Sequence, residues 1–560
     1  FYEAIDFSAP DPVSTAPYCI VRSFMAHHQG MIMAAINNYL NGGILRRRFH
    51  SDPMIRASET LLEEKRHSWL VSVSRKGYTV NIRKKAASGE DMPVPRKIRT
   101  VSPPIPVVNY LSNGSYSVLV TSDGDGFSRW GNMMVYRWRP DLYAQTGFYI
   151  YIRDVEAGRY WSAAFNPTRK EADHYQAVFS YDRAEFTRKD GDVSTQTTVS
   201  LSLEHDLEIR KVTVTNHSSE EKLIELTSYI EVVADTFMAE SGHPAFNKLF
   251  IESEFIEESD VFISRRRGAD GAPVIMHMVR TDRKPYKAVE YENDRMRFIG
   301  RLNTLKDPAA VRDGLPLSNR CGFSPDPIMS LRVSILLEPG GKASISFITG
   351  VCASREEAVR IGEEMSIPYR IDNIMEKFRN QSETELKYLG IYGNQLNVFQ
   401  NLIGPVFYPS RYYRGPAERI RRNWKDQSSL WRFGISGDNP ILLLTVDSVK
   451  EAGFIRKVLK LYEYMRINCV TADLVILSSA KYGYMNELDD MLRQMTSSLR
   501  TYNSRDRAGI FILHEYQLVP PEIDLLYTVA RVVISERTGL HFRNVIADVP
   551  GWTGRWRANR

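Results

Sequence analysis

Between residues 106 and 355, the chain alternates apolar and polar residues in short runs separated by turn signals. The runs "YSVLVTSDGDGFSRW", "LEIRKVTVTNHS" and "SLRVSILLEPGGKASISFITGV" are typical, being rich in Val, Thr, Tyr and Phe and broken by Gly-Asp or Pro-Gly. Alternation with a period of two predicts half-buried β-strands, and Gly, Asp and Pro favour the turns between them. Many strands at this spacing predict a large β-sandwich, which at about 250 residues exceeds an immunoglobulin-type domain.

Helical spacing of apolar residues predicts α-helices on both sides of this region. Before it, "MIMAAINNYL" is ended by "NGG" (41–43), and "DPMIRASETLLEEK" restarts a helix with Asp52 as N-cap and Pro53 at the first helical position. After it, segments such as "NPILLLTVDSVKEAGFIRKVLKLYEYMRI" and "IDLLYTVARVVISERTG" predict helices separated by loops. The predicted order is a helical segment 1–72, a linker 73–105, a β-sandwich 106–355, a helical linker 356–424 and a helical domain 425–560.

Composition argues against several functional classes. The 560 residues carry a net charge of only +6, and the most basic run (83–99) is broken by Gly, Pro and acidic residues, so a nucleic-acid partner is not predicted. The four cysteines are far apart and form no CxxC pair, which argues against a disulfide framework and a thiolate zinc site and favours a reducing compartment. No run approaches the roughly 18 apolar residues that span a bilayer. Because the chain begins with Phe1 and ends at "GWTGRWRANR", we expect it to be a piece of a longer protein.

Several long motifs resemble the cyclic β-1,2-glucan synthases, in the order in which they occur there. "VRSFMAHHQGM" and "RRRFHSDPMIRASETLLEE" look like the end of the glucoamylase-like (α/α)6 domain of that family. "NYLSNGSYSVLVTSDGDGFSRW", "YIRDVEAGRYWSA" and "HPAFNKLFIESE" look like the β-sandwich that follows it. "SSLWRFGISGDNPILLLTV" looks like the opening of the (α/α)6 phosphorylase barrel of glycoside hydrolase family 94. The resemblance therefore implies the tail of one helical barrel, a carbohydrate-binding supersandwich and the start of a second barrel.

The resemblance also implies an activity and its partners. The family's enzymes are large, polytopic inner-membrane proteins in which an upstream region polymerises UDP-glucose and cyclises the glucan. Their phosphorylase-like region controls chain length by phosphorolysis. For this segment, the expected partners are β-1,2-glucan or a related β-glucan and inorganic phosphate, with no other cofactor and no metal. The parent protein is expected at the cytoplasmic side of a bacterial inner membrane, and this segment is expected to be soluble.

Inverting cleavage by phosphate requires one carboxylic acid to protonate the leaving oxygen, and groups that hold the phosphate. In family 94 that acid is an aspartate in a segment resembling "DWNDGM", and no such string occurs here. We therefore assign no catalytic residue, and we expect the chain alone to be inactive as a phosphorylase.

The stretch "WRFGISGDNP" (431–440) is the strongest candidate for substrate binding. Its small residues let a loop approach a ligand closely, and Asp438 could accept two hydrogen bonds from vicinal sugar hydroxyls; the resemblance places this loop at the mouth of the barrel. Alternatively, Asp438 is only the N-cap of a helix with Pro440 in its first turn. Trp431 is either a stacking platform or a core residue, and Arg432 either contacts phosphate or forms a surface ion pair. The candidates are Trp431, Arg432, Ser436, Gly437 and Asp438.

The sandwich offers further candidates in "GFSRWGN" and "HPAFNKLF", namely Arg129, Trp130, His243 and Lys248. Such polar and aromatic groups line glycan grooves, and the family's sandwich contributes a loop to the cleft; the alternative is ordinary packing. "SDGDG" (122–126) resembles the start of a calcium loop but lacks the later acidic ligand, so an Asp-Gly hairpin turn is favoured.

"AHHQGM" places His27, His28 and Gln29 at the start of a helix. Adjacent helical residues point about 100° apart, so both histidines cannot easily bind one metal. They could form the rim of a glucan pocket with Glu3 or Asp6 opposite, or be a structural pair. The arginine runs at 46–48 and 265–267 predict solvated or ion-paired side chains, with anionic lipid as the alternative.

Two other functions compete with a synthase segment. One is a soluble phosphorylase of another β-glucoside, such as cellobiose or chitobiose, although those proteins begin with the sandwich and lack the "HHQGM" helix. The other is a non-catalytic glycan-binding module, because a β-sandwich with exposed aromatic residues can bind sugar without chemistry.

Overall fold

The computed structural model describes residues 4–6, 19–21, 24–51, 93–101, 103, 105–141, 144–268, 271–479, 487–500 and 508–537. The chain divides into two compact units, residues 1–74 and 75–560. In the first unit, β1 (Ala4–Asp6) pairs antiparallel with β2 (Cys19–Val21), and two helices follow, α1 (Ala26–Leu40) and α2 (Ile44–Phe49). Helix α1 ends at the predicted "NGG", where Gly42 and Gly43 have positive φ. The helix predicted to restart at Asp52 lies outside the described residues.

The second unit contains the predicted β-sandwich, built from two large sheets. Among the described residues one sheet has ten strands, and from edge to edge these are β19 (Gly322–Phe323), β15 (Ile251–Ile256), β16 (Val261–Arg266), β17 (Val274–Thr281), β21 (Lys342–Cys352), β13 (Asp206–Asn216), β12 (Val193–Leu201), β11 (Ala184–Asp190), β10 (His174–Phe179) and β3 (Arg96–Ile98). The other sheet has nine described strands. Seven of them follow the order β18 (Glu290–Asp294), β20 (Pro327–Leu337), β14 (Lys222–Thr236), β7 (Met133–Tyr136), β6 (Gly126–Trp130), β5 (Tyr116–Thr121) and β4 (Val108–Ser112). The remaining two lie beside this path, with β8 (Tyr149–Asp154) paired both to β14 and to β9 (Arg159–Ser162). The strand pairs in both sheets are antiparallel.

The core lies between these two sheets. The first seven residues of strand β12 show the predicted alternation, with inward residues buried and outward residues half-buried or exposed. Ile275 and Phe347 of the larger sheet and Leu331 and Val333 of the smaller one belong to the same buried cluster. Small helices interrupt the sandwich at α3 (Phe237–Gly242), α4 (Pro244–Lys248), α5 (Arg295–Ile299) and α6 (Ala309–Arg312).

One buried histidine links the sheets. His277 of β17 hydrogen-bonds through Nε2 to the hydroxyl of Ser228, at 2.7 Å, and through Nδ1 to that of Thr349, at 2.8 Å. Burial lowers its pKa to about 3, so the ring is neutral at physiological pH. This histidine is therefore a structural bridge between strands of the two sheets.

The "SDGDG" stretch forms the predicted hairpin turn, between β5 and β6. Gly126 has a φ of 149°, and a Cβ there would lie 1.9 Å from the carbonyl oxygen of Leu119, so only glycine fits. The carboxyl groups of the turn are half-buried: Thr121 donates its hydroxyl to Asp123, and Tyr149 donates to Oδ1 of Asp125 at 2.6 Å.

Helices follow the sandwich as predicted: α7 (Arg355–Glu364), α8 (Arg370–Leu389), α9 (Gln395–Phe407) and α10 (Ala417–Arg422). Most residues of helix α9 are buried. Its Gln400 accepts a hydrogen bond from the backbone N–H of Tyr110 in β4 and donates from Nε2 to the carbonyl oxygen of Tyr110 and to the hydroxyl of Tyr464. This buried glutamine ties the sandwich to the part of the chain that follows.

The prediction of an all-helical domain from residue 425 is wrong. The described residues there form a four-stranded parallel sheet in the order β24 (Ile510–His514), β23 (Asp473–Ser478), β22 (Ile441–Val446) and β25 (Ala530–Ile534). The helices α11 (Ala452–Ile467), α12 (Glu487–Arg500) and α13 (Pro520–Val529) connect the strands. Strand β22 is an almost fully buried apolar run, and such a run has no period that would separate a strand from a buried helix. The described residues from 425 to 537 therefore do not form the start of an (α/α)6 barrel.

The direction in which successive strands are added to this sheet reverses between β22 and β25. The chain runs from β22 outward to β23 and β24, then returns to the opposite side of β22 to form β25. Neighbouring parallel strands whose connections leave in opposite directions create a crevice at the edge of the sheet. Within the described residues, no helix is both long and apolar enough to cross a membrane.

Candidate functional site

An open cavity of about 380 Å³ lies at the amino-terminal ends of β22 and β25, the two strands at the reversal point. Ligands of open α/β sheets usually bind at the carboxyl ends of such strands, so this cavity lies at the opposite edge of the sheet. Its apolar surface comes from Leu430, Pro440, Ile441, Val529 and Ala530. Its polar lining is formed by Arg414, Gln427, Asp438, Asn439, Thr528 and Arg531.

The predicted loop 431–440 forms one wall of this cavity. A 3-10 helix, Gln427–Phe433, ends at Gly434, and the chain then turns through Gly437, whose φ is 79°. A Cβ at Gly437 would lie 2.8 Å from Cγ of Gln427, so glycine permits this close packing. Gln427 in turn donates from Nε2 to the carbonyl oxygen of Ser436, at 2.9 Å. The two glycines thus allow the loop to fold tightly enough to bring its polar residues to the cavity.

Asp438 is exposed at the cavity, as a sugar-binding carboxylate would need to be. Its Oδ1 accepts from Nε2 of Gln427 at 3.3 Å, and its backbone N–H donates to Oγ of Ser436 at 3.2 Å. Among the described residues, no hydrogen bond reaches Oδ2. The alternative that Asp438 caps a helix is wrong, because strand β22 begins at Ile441.

Asn439 connects the loop to the interior of the sheet. Its side-chain amide donates to Oδ1 of Asp473 at 3.3 Å, and the same carboxylate oxygen accepts from the backbone of Gly509 at 2.9 Å. Burial raises the pKa of Asp473, and the nearby charge of Asp438 contributes in the same direction. Asp473 is therefore a positioning residue behind the cavity wall.

Two arginines, Arg414 and Arg531, contribute positive charge to the lining of the cavity. Arg414 donates from Nη2 to the carbonyl oxygen of Thr528, and Arg531 is the half-buried second residue of strand β25. The pKa of Arg531 is lowered by burial and by the positive charge of Arg414. Sequence patterns gave no signal for either residue, because their proximity depends on β25 pairing with β22.

The remaining loop candidates have protein partners. Arg432 forms an ion pair with the buried carboxylate of Glu522, which is one of its two predicted roles. Trp431 is 65% exposed, so it is not a core residue, and its indole donates to the carbonyl oxygen of Ser436 at 3.3 Å. A sugar-stacking role for Trp431 stays a prediction.

The "GFSRW" candidates lie at internal contacts. Arg129 donates from Nη2 to the hydroxyl of Tyr110, at 3.0 Å, and to the carbonyl oxygen of Cys469, and its guanidinium lies over Phe407. Trp130 donates its indole N–H to Oδ2 of Asp206 at 2.7 Å. These contacts hold β6 against neighbouring elements, and a glycan role for either residue stays a prediction.

The "HPAFNKLF" candidates lie at the α3–α4 junction. His243 is exposed between the two helices, and Lys248 forms an ion pair with Asp326. Two of the "ISRRRG" arginines are ion-paired, which is one of their predicted states: Arg266 pairs with Asp235 at 3.2 Å, and Arg265 with Glu252 at 3.6 Å.

The "AHHQGM" candidates belong to the first unit. The rings of His27 and His28 meet edge to face with centroids 3.9 Å apart, and Gln29 donates its backbone N–H to the carbonyl oxygen of Met25. The predicted partner Glu3 lies outside the described residues. A role at a glucan pocket for these residues stays a prediction.

The described residues bring one group of possible metal ligands together, Glu204, His205 and Glu364. Arg370 bonds both glutamates, and Lys377 bonds Glu204 at 3.1 Å. The carboxylates are therefore already paired with cations, and the cluster connects the sandwich to helix α8.

Comparison with known proteins agrees with the β-sandwich. Residues 92–368 match the family model described as "Glycosyl hydrolase 94, supersandwich domain". The β-sandwich of this chain is therefore of the supersandwich type found in glycoside hydrolase family 94. A curated relative, the cyclic beta-(1,2)-glucan synthase NdvB of Rhizobium meliloti (strain 1021), is 34% identical over 554 residues, which is 96% of this chain and 19% of that protein. The predicted resemblance is thereby confirmed.

Two phosphorylases match a smaller part of the chain. Solabiose phosphorylase of Paenibacillus borealis is 22% identical over 48% of this chain and 35% of its own length. N,N'-diacetylchitobiose phosphorylase of Vibrio proteolyticus is 23% identical over 46% of this chain and 32% of its own length. The chain thus spans about a fifth of the synthase and about a third of each phosphorylase.

Proposed function

We propose that this chain is a section of a carbohydrate-active enzyme of the cyclic β-1,2-glucan synthase type. The observation that carries the proposal is similarity to the Rhizobium synthase along 96% of the chain, on both sides of the supersandwich. The phosphorylases match only about half of the chain, which disfavours a soluble phosphorylase of another β-glucoside. In the proposed role, the segment binds β-glucan and contributes to the phosphorolysis that sets its length.

The proposal also assigns partners and a location. Inorganic phosphate would be the co-substrate, and UDP-glucose would be used by a different part of the parent protein. That parent would lie in a bacterial inner membrane with this segment on the cytoplasmic side. These assignments rest on the relationship to the synthase and on the carbohydrate chemistry of the phosphorylase relatives.

The cavity beside Asp438 is the site at which we expect a glucosyl unit to bind. Its volume of about 380 Å³ suits a small ligand. A carboxylate can accept hydrogen bonds from two vicinal hydroxyls, and the amide of Gln427 orients the Asp438 carboxylate from one side. An exposed aromatic ring at Trp431 stands on the same loop. The arrangement binds and orients sugar, and no proton-transfer step is assigned to it.

Replacing Asp438 with alanine should weaken binding of linear β-1,2-gluco-oligosaccharide at least tenfold. A hydrogen bond to a charged group contributes about 1.5–3 kcal/mol, and tenfold corresponds to about 1.4 kcal/mol. Isothermal titration calorimetry of the whole chain measures the effect. Asp447→Asn is the matched control, because Asp447 lies beyond the opposite end of β22. Equal affinities for wild type and Asp438→Ala would refute the sugar role of Asp438 and direct the search to the supersandwich.

The chain alone should release no glucose 1-phosphate from β-1,2-glucan and phosphate. The physical reason is that no segment of its sequence resembles the general-acid segment "DWNDGM". A coupled assay for glucose 1-phosphate, calibrated with an active family 94 phosphorylase, measures it. Release that depends on enzyme concentration would show that a carboxylic acid within this chain serves as the general acid.

A further inference from the structure

The cavity at the amino ends of β22 and β25 contains two arginines that the protein does not neutralise. Other arginines in this part of the chain form ion pairs with carboxylates: Arg419 and Arg422 pair with Asp524 at 3.1 Å, and Arg432 pairs with Glu522. In the described part of the chain, no carboxylate forms an ion pair with Arg414 or Arg531. The contrast is informative because a half-buried cation without a counter-ion costs free energy.

We propose that Arg414 and Arg531 bind the phosphate group of a small ligand, and that the ligand is a monosaccharide phosphate whose hydroxyls contact Asp438. The sugar part of this inference deepens the proposed function and rests on it, whereas the phosphate part rests on the arginines alone. Asp438 lines the same cavity without forming an ion pair with either arginine. The cavity therefore presents a cationic side and a separate carboxylate, as a ligand with one anionic group and several hydroxyls requires.

A hydrogen bond holds the guanidinium of Arg414 against the segment that carries Arg531. Arg414 donates to the carbonyl oxygen of Thr528, three residues before Arg531, so its position is fixed against the chain that carries the second arginine. The charge of Arg414 acts directly on Arg531 and, with burial, lowers its pKa. Binding an anion between them would remove this repulsion.

A phosphate monoester suits this pair better than a carboxylate. It carries a charge of about −1.5 to −2 at neutral pH and three acceptor oxygens, which two guanidiniums can share. Arginine forks form paired hydrogen bonds with phosphate oxygens. A cavity of about 380 Å³ leaves room for a sugar ring beside the phosphate group, at the lower end of the range for ligand sites.

Isothermal titration calorimetry of the whole chain at low ionic strength tests the proposal with glucose 1-phosphate, inorganic phosphate and glucose. We expect glucose 1-phosphate to bind at least threefold more tightly than inorganic phosphate, and glucose alone to bind most weakly. Arg531→Gln and Arg414→Gln should each weaken binding of both phosphate ligands at least tenfold. Arg421→Gln, an exposed arginine of helix α10, removes the same charge and should change affinity less than twofold.

Each outcome decides one part of the inference. The inference is overturned if the wild-type chain does not bind phosphate, or if all three arginine variants lose the same amount of phosphate affinity. The proposed function would still stand in that case if glucan binding depends on Asp438. Arginine-dependent binding of phosphate without glucan binding supports the anion site and refutes the proposed function. Equal affinities for glucose 1-phosphate and inorganic phosphate would identify free phosphate as the ligand. Because Arg414 is exposed, its variant tests the site even if Arg531→Gln fails to fold.

Discussion

Arg210→Met should lower the free energy of unfolding of the supersandwich by about 3–5 kcal/mol. Arg210 and Glu208 are both buried in strand β13, where Nε of the arginine donates to Oε1 of the glutamate at 3.1 Å. The arginine also donates to the carbonyl oxygen of Phe148, at 2.8 Å, and to the hydroxyl of Tyr136, at 3.1 Å. Methionine fills a similar volume but leaves the Glu208 carboxylate buried without its cation, and this uncompensated charge causes the loss.

Urea unfolding followed by tryptophan fluorescence measures the effect. Arg265→Met is the matched control, because Arg265 lies in the same sheet but is 57% exposed and its 3.6 Å ion pair is worth little. Adding Glu208→Leu to Arg210→Met removes the unpaired charge and should recover most of the lost stability. If the double variant is no more stable than the single one, packing around Arg210 rather than its charge accounts for the loss.

The two charged groups of that pair also show what the sequence could not predict. Glu208 and Arg210 are two residues apart on a strand and therefore share one face, and the alternating pattern of β13 predicted only that some face would be buried. The extent of their burial depends on the second sheet, which supplies Tyr136 and Phe148 from a distant part of the chain. A strand can be predicted from its own residues, whereas the partner of a buried charge cannot.

The same limit explains the outcome for the C-terminal part. Helix α11 carries its own periodic signal and lies where a helix is predicted, whereas the predicted helix that begins at Ile523 gives way to strand β25. The run "ILLLTV" is buried on both faces because parallel strands flank it, and its sequence does not contain that information. The loop containing Asp438 could be selected from its glycines and its carboxylate. Arg414 and Arg531 could not, because 116 residues separate them from each other along the chain and only the strand order brings them together.

The turn between β5 and β6 leads to the second large effect. The sequence predicts an Asp-Gly turn there, and its two carboxyl groups are half-buried, with Asp125 hydrogen-bonded to Tyr149 of β8. Burial, together with the neighbouring Asp123, raises the pKa of Asp125 to about 8, while Tyr149, Arg169 and Asn166 act in the opposite direction. Burial and the charge of Asp123 therefore keep the Asp125 carboxyl group protonated at neutral pH, against the hydrogen bond donated by Tyr149.

The stability of the wild-type chain should consequently fall relative to that of Asp125→Asn as the pH rises from about 4 to about 8. The pKa of an aspartate in the unfolded chain is about 3.9, so in this window the folded state holds a proton that the unfolded state has released. Stability then decreases with pH by up to about 1.4 kcal/mol per unit, and it is constant below and above the window. Asparagine imitates the protonated carboxyl group and can still accept from Tyr149, so the variant lacks this slope.

Urea unfolding of both chains at pH 5, 6, 7 and 8 measures the difference between their free energies of unfolding. Comparing the two chains cancels the titration of the other groups, including the histidines, and isolates the proton on Asp125. Asp192→Asn provides the control, because it makes the same substitution at an exposed aspartate in the turn between β11 and β12. A constant difference for Asp125→Asn across the four pH values would mean that Asp125 is ionised in the folded protein. The buried pair would then have to be stabilised by Arg169 far more strongly than its burial indicates.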